Sequence, residues 1–125
     1  MNTFKSFQNA LYSVNEGTFE NIALELFRFQ AQYNPVYNHY LKCLHVDPTR
    51  ITSLERIPFL PISFFKTHSV KTGDWQTQTE FTSSGTTGST SRHAVHNLDF
   101  YLTLSQRIFE SRYGPLTNYH LLALL

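Results

Sequence analysis

Through the first third of this chain, apolar residues return every three or four positions, a spacing that suits helices packed on one face. Phe4, Phe7, Leu11 and Val14 form one such stripe. Phe19, Ile22, Ala23, Leu26 and Phe29, followed by Tyr33, form a second, and the break falls near Asn15-Glu16-Gly17. Asn34-Pro35 has the order of an N-cap followed by proline at the first helical position. Val36, Tyr37, Tyr40, Leu41 and Leu44 then supply the stripe of a third helix that ends before Asp47-Pro48. Cys43 on that helix is expected to be an inert, half-buried thiol, because neither a His-plus-acid arrangement nor a helix start would activate it.

Beyond this point the helical rule gives way. Thr52 and Glu55 have the spacing of a capping box, but Pro58 and Pro61 leave room only for a short turn. The stretch Ile57-Pro58-Phe59-Leu60-Pro61-Ile62-Ser63-Phe64-Phe65-Lys66 is stiff and very apolar. Its aromatics suit a core seam or a docking surface; the core is the expectation, with Lys66 reaching out to solvent. From Lys71-Thr72-Gly73-Asp74 the texture turns to Thr, Gln and Ser, with Trp75 expected to pack. Residues 77–81 predict a short strand that runs into a Ser/Thr/Gly tract over 82–91, and residues 93–96 predict its hairpin partner. Asn97 then suits an N-cap, Asp99 lies in the first turn, and Leu98, Tyr101, Leu102, Ser105, Ile108, Phe109 and Arg112 describe a helix that Gly114-Pro115 stops. An apolar run from Tyr119 predicts a buried strand. The fold class is therefore expected to be α/β with helices dominant.

That last run, with no cap, polar tail or turn behind it, predicts a chain cut from a longer protein. An unpaired strand edge there would favour self-association. The 125 residues have the size of one domain and can bury roughly two-thirds of the surface of the unfolded chain. Hydrophobic residues at 41% and charged residues at 15% exclude a disordered tail. The net charge of +1, with basic residues scattered, gives no electrostatic footprint for nucleic acid. A single cysteine, no secretory signal and no long apolar run lead to the expectation of a cytoplasmic chain without a membrane span.

The tract over 82–91 admits two readings. It is a flexible linker, or it is a phosphate-binding loop in which glycines let the backbone close around an anion while N–H groups and hydroxyls donate to its oxygens. It is not a Walker loop, because the Gly-Lys-Ser/Thr ending is absent. The flanking strands and the cation of Arg92 speak for the loop. His93 and His96 would point to opposite faces of a strand and make a poor metal pair.

Ser83-Ser84-Gly85-Thr86-Thr87-Gly88 resembles the nucleotide loop of the adenylate-forming enzymes. Together with Pro58-Phe59-Leu60-Pro61-Ile62-Ser63-Phe64-Phe65-Lys66 and Glu80-Phe81-Thr82, it resembles more narrowly the acyl-protein synthetases, which activate fatty acids for the reductase complex of bacterial luminescence. The resemblance is strongest over residues 57–113. It implies that residues 1–125 are the incomplete N-terminal part of one adenylating domain: a helical region over 1–50, then a phosphate-loop hairpin, a helix and the start of a buried strand over 51–125. It also implies ATP as the activating substrate, with a magnesium ion whose ligand lies outside this chain. A carboxylic, fatty acid would become an acyl-adenylate and then pass to a protein thiol, with an acyl-CoA reductase-like protein as partner. Ser83, Ser84, Gly85, Thr86, Thr87, Gly88 and Arg92 would hold the phosphates, and the 125 residues alone would be catalytically silent. The pattern departs at Ser89-Thr90-Ser91, where serine stands in place of the usual loop lysine and Arg92 follows one position later. An acyl-CoA ligase of the same superfamily, or a non-catalytic helical interaction module with a Ser/Thr/Gly linker, are the alternative readings.

Overall fold

The computed structural model describes residues 4–84, 90–120 and 122. Helix α1 spans Phe4–Tyr12 and α2 spans Glu16–Tyr33. Asn15 separates them: its side-chain oxygen accepts from the Gly17 N–H at 3.0 Å, and its own N–H donates to the Thr18 hydroxyl at 3.0 Å. These bonds satisfy donors that a helix start otherwise leaves unpaired. Asn34 ends α2 and begins α3, Pro35–Cys43. Its N–H donates to the Gln30 carbonyl at 2.9 Å while its side-chain oxygen accepts from the Tyr37 N–H at 3.1 Å. One buried residue thus caps two helices, and it joins α2 directly to α3, which packs against it.

The principal core lies between these two helices. Phe27, Ala31, Tyr37 and Leu41 are buried together, and Tyr40, Val46, Ile51, Ile57 and Leu60 pack against them. Two single-turn 3-10 helices, Pro48–Arg50 and Leu54–Arg56, carry the chain across this core. Ser53, not Thr52, precedes the second turn, and its side chain makes no capping bond, so the sequence spacing of Thr52 and Glu55 marks the turn without supplying its cap. The Tyr37 hydroxyl donates to the Pro58 carbonyl at 2.5 Å, and Arg28 donates to the Ile51 carbonyl at 3.0 Å.

The proline-rich stretch divides its residues between core and surface. Ile57 and Leu60 face inward, whereas Phe59 is 79% and Ile62 69% exposed. The expectation that its aromatics fill the core therefore fails for Phe59. The stretch leads into a single helical turn, α4, Phe64–Thr67. There Phe64 lies edge-on to Tyr40, and Phe65 stacks on His93 with ring centroids 4.3 Å apart.

A second, aromatic cluster joins α1 to the following loop. Phe4 and Phe7 meet Phe29, which tilts onto Tyr33. Gly73 donates its N–H to the Tyr33 carbonyl at 2.8 Å with φ of +80°. Its position is closed by the Phe4 ring, 3.3 Å from where a Cβ would stand. Trp75 packs as expected: its indole N–H donates to the Thr72 carbonyl at 2.9 Å, and Lys71 lies over its ring.

Strands β1, Thr79–Thr82, and β2, Arg92–Val95, form an antiparallel hairpin in which Thr79 pairs with Val95, Glu80 with Ala94, Phe81 with His93 and Thr82 with Arg92. Asn97 caps α5, Leu98–Tyr113, by accepting from the Phe100 N–H at 2.9 Å. Arg107 anchors that helix, lying over the Tyr12 ring of α1. Its apolar residues find little cover: Leu102 is 54% and Ile108 62% exposed. Gly114 leaves the helix at φ of +86°, and a third 3-10 turn, Leu116–Asn118, follows.

The strand expected from Tyr119 is not found among the described residues. Tyr119, His120 and Leu122 are exposed and belong to no strand, and the Tyr119 hydroxyl instead donates back to the Tyr113 carbonyl. The strand edge expected over residues 121–125 lies, Leu122 apart, outside the described residues. The architecture is helix-rich with one two-stranded sheet among the described residues, which is consistent with α/β. Among the same residues, no helix is long and apolar enough to cross a membrane.

Candidate functional site

The hairpin holds the two ends of the Ser/Thr/Gly tract together. Ser83 donates its N–H to the Ser91 carbonyl at 3.2 Å, and its hydroxyl oxygen accepts from the Ser91 N–H at 3.0 Å. This reciprocal pair extends the ladder one step past Thr82 and Arg92 and buries Ser91. Of the residues expected to hold phosphate, Ser83 and Ser84 follow β1 and Arg92 opens β2, all three exposed. Gly85, Thr86, Thr87 and Gly88 lie outside the described residues.

Arg92 does not stand alone. Thr90, Arg92 and Ala94, alternate positions and hence on one face of the strand, line a recess of about 500 Å³ with Glu80 on one side and Phe65, Lys66, Thr67, His68, Ser69 and Val70 on the other. The packing of α4 on β2 creates it. His68 stacks on Phe64, and its Nδ1 lies 2.8 Å from the Thr67 hydroxyl. The recess brings the Lys66 ammonium and the Arg92 guanidinium, groups that bind phosphate or carboxylate oxygens, together with the Glu80 carboxylate. Lys66 is exposed, as expected from the sequence, and also lines this recess, whereas no functional role for His68 was expected from the sequence. The signal available was the lysine closing the same proline-rich motif that supported the family resemblance.

Across Phe65 and Val70 lies a second recess of about 400 Å³, with apolar walls drawn from α2, α3 and the proline-rich stretch. Tyr37 lines it, and burial, with Tyr40 adding to the effect, pushes its phenol up to about 12. Cys43 is exposed, not half-buried, and its sulfur lies 3.6 Å from His39 Nε2, a neighbour one helical turn away. Cys43 lines neither recess. Among the described residues, no three His, Cys, Asp or Glu side chains come together as a cation site.

The model of the family described as acyl-protein synthetase, LuxE, matches residues 7–106. The chain belongs to the LuxE acyl-protein synthetase family. The matched residues include the hairpin, α4 and both recesses. A long-chain-fatty-acid–luciferin-component ligase from Photorhabdus luminescens is 33% identical over 78 residues, which is 62% of this chain and 66% of that relative. The match thus spans just under two thirds of the relative. No solved structure matches the chain. Membership of the LuxE family accords with the resemblance drawn from the tract and the proline-rich motif.

Proposed function

We propose that this chain supplies the phosphate-holding part of an ATP-dependent enzyme that activates a fatty acid as its acyl-adenylate and passes the acyl group to a thiol. The observation that carries the proposal is a Ser/Thr/Gly tract pinned at both ends by the Ser83–Ser91 pair and set beside a recess that Lys66 and Arg92 line. LuxE membership, and a relative named for a long-chain fatty acid, support the choice of acid and of reaction.

In the first step a carboxylate oxygen attacks the α-phosphorus of ATP. The bond from that phosphorus to the bridging oxygen breaks, and pyrophosphate leaves with the electron pair. In the second step a thiolate attacks the acyl carbon and AMP departs. The task of this chain is electrostatic. Backbone N–H groups and the hydroxyls of Ser83, Ser84, Thr86 and Thr87 donate to the oxygens of the leaving pyrophosphate, with Gly85 and Gly88 admitting it closely. Because Ser83 Oγ already accepts from the Ser91 N–H, its own proton is directed elsewhere and is available to an anion. Arg92 adds positive charge at the edge of the loop. Among the described residues, no three His, Cys, Asp or Glu side chains come together where the magnesium ion that the resemblance implies could be held by protein alone.

The test is equilibrium binding of ATP and of pyrophosphate to the chain, in wild type and in Gly85→Val, alongside thermal melts. The branched side chain obstructs the backbone approach that the loop requires. Binding reduced at least about tenfold, or 1.4 kcal/mol, with an unchanged melt is the expected result. Wild-type binding in Gly85→Val with the same melt would return the tract to the status of a linker.

A further inference from the structure

We infer that the outward face of α5 is an interface at which two copies of this chain pair their α5 helices antiparallel, about a two-fold axis at Ser105.

The helix packs on its own chain by one side. Phe100 lies edge-on to the Tyr12 ring and Arg107 lies over that same ring, so the side that carries them faces α1. The other side carries the apolar stripe, with Tyr101, Leu102, Ser105, Ile108 and Phe109 at helical spacing. Leu102, Ile108 and Tyr113 each leave more than half of their surface open to water, and Tyr101 nearly half. Phe81 of β1 tilts onto Tyr101 and is itself exposed, so the surface continues onto the hairpin. Single exposed apolar residues are ordinary, but side chains this large, adjacent along one helix, form a contiguous patch of the kind that marks a contact surface.

Two observations name a second copy as the occupant. The first is that the stripe is symmetric about Ser105: Tyr101 and Leu102 stand four and three positions before it, Ile108 and Phe109 three and four positions after. A two-fold interface presents the same patch from both sides. In an antiparallel pair, Leu102 of one helix therefore meets Ile108 of the other, and Tyr101 meets Phe109. The small Ser105 lies where the axes cross and lets them approach closely. The second observation is charge. Arg112 lies on the stripe near the helix end, and Asp99 lies at its edge in the first turn. Antiparallel pairing sets Arg112 beside Asp99 of the other copy at both ends, whereas parallel pairing would set like charges together. Neither residue makes an ion pair among the described residues of its own chain.

A helix of 16 residues is about 24 Å long, and one such face falls short of the about 800 Å² per partner of a standard interface. Dissociation in the micromolar range is therefore expected. The experiment is sedimentation equilibrium of the full chain from low to high micromolar concentration, with a monomer–dimer equilibrium as the expected result. Leu102→Glu, which sets carboxylates in the seam, should weaken the dimer at least a hundredfold with an unchanged melt. Arg112→Glu and Asp99→Lys should each weaken it roughly fivefold, and the two together should restore the wild-type constant. Should Leu102→Glu unfold the chain, Ser105→Cys in a Cys43→Ser background still decides the matter, because Ser105 is exposed and the change is small. Mild oxidation should link Ser105→Cys into a covalent dimer, and Thr103→Cys, on the far side of the helix, should give none. A chain that stays monomeric over the whole range would overturn the inference, as would a dimer indifferent to Leu102→Glu or equal cross-linking at the two positions. If a different protein or another part of the same chain covers this face, Ser105→Cys remains unlinked and pairing is refuted.

Discussion

Ser83→Ala isolates one hydroxyl with two separable tasks. Its oxygen accepts from the N–H of buried Ser91 at 3.0 Å, while the Ser83 N–H bond to the Ser91 carbonyl survives the substitution. A buried N–H left unpaired costs about 1–3 kcal/mol. Ser83 itself is exposed, so water can reach the gap and the lower end, about 1 kcal/mol, is expected. For a domain of this size that is a fall in Tm of about 4 °C. The second task is donation to phosphate. A hydrogen bond to a charged group contributes about 1.5–3 kcal/mol, which corresponds to a loss of ATP affinity of roughly ten- to a hundredfold. Ser83→Thr keeps both the acceptor and the donor and should restore both quantities. The assay is ATP titration at a temperature well below both melts, together with differential scanning calorimetry. If Ser83→Ala lowered Tm but bound ATP as wild type does, the hydroxyl would be a clasp for the hairpin with no contact to phosphate.

Asn34→Ala removes the cap of α3 and the bond to Thr72 and should cost about 1–2 kcal/mol, read as a lower urea midpoint with an unchanged slope; Asn34→Asp, which keeps the capping oxygen, should cost less. Gly114→Ala forces a side chain into a backbone conformation of φ +86°, ψ −179° and should cost about 1–3 kcal/mol, although nothing lies within 4 Å of its Cβ position. Burial raises the Tyr37 phenol to about 12 from its ordinary value of 10.0, so the unfolded chain releases that proton first. Its contribution is intact below pH 10 and is lost as pH rises toward 12; Tyr37→Phe should flatten that part of the denaturation profile, and an unchanged slope would show that the ring is wet. Glu110 is held below the usual carboxylate range by the Leu116 N–H and the Gln106 amide, so the turn after α5 should loosen as pH falls through that lowered value, measured by amide exchange at Leu116.

The helices and the hairpin were legible because their signals are local. Asn15, Asn34 and Asn97 each stand where a cap was needed, and the capping bonds that their side-chain oxygens accept come from within three residues of them. The places of Ser83 and Arg92, where the hairpin meets the tract, were legible from the tract they flank. Lys66 and His68 were not, because what makes them partners of Arg92 is the packing of α4 on β2, a contact across more than twenty residues that no periodicity reports. The described residues of the apolar run from Tyr119 belong to no strand, and the rest of that run lies outside the described residues. Phe59 of the proline-rich stretch was misread as core because clustering alone does not say which face a proline turn presents.

That stretch ties the two recesses to the core. Ile57 and Leu60 are packed against the Phe27–Leu41 cluster, and the Tyr37 hydroxyl holds the Pro58 carbonyl, so the segment between them has little freedom to shift. Pro58 and Pro61 fix φ at two further points. The turn of α4 therefore begins at a place set by the α2–α3 pair. Phe64 against Tyr40 and Phe65 against His93 then set where Lys66 meets the hairpin. The distance between the polar recess and the apolar one is thus fixed by core packing rather than by a loop. Leu60 packs on that core while its neighbour Phe59 stays exposed at the rim of the apolar recess.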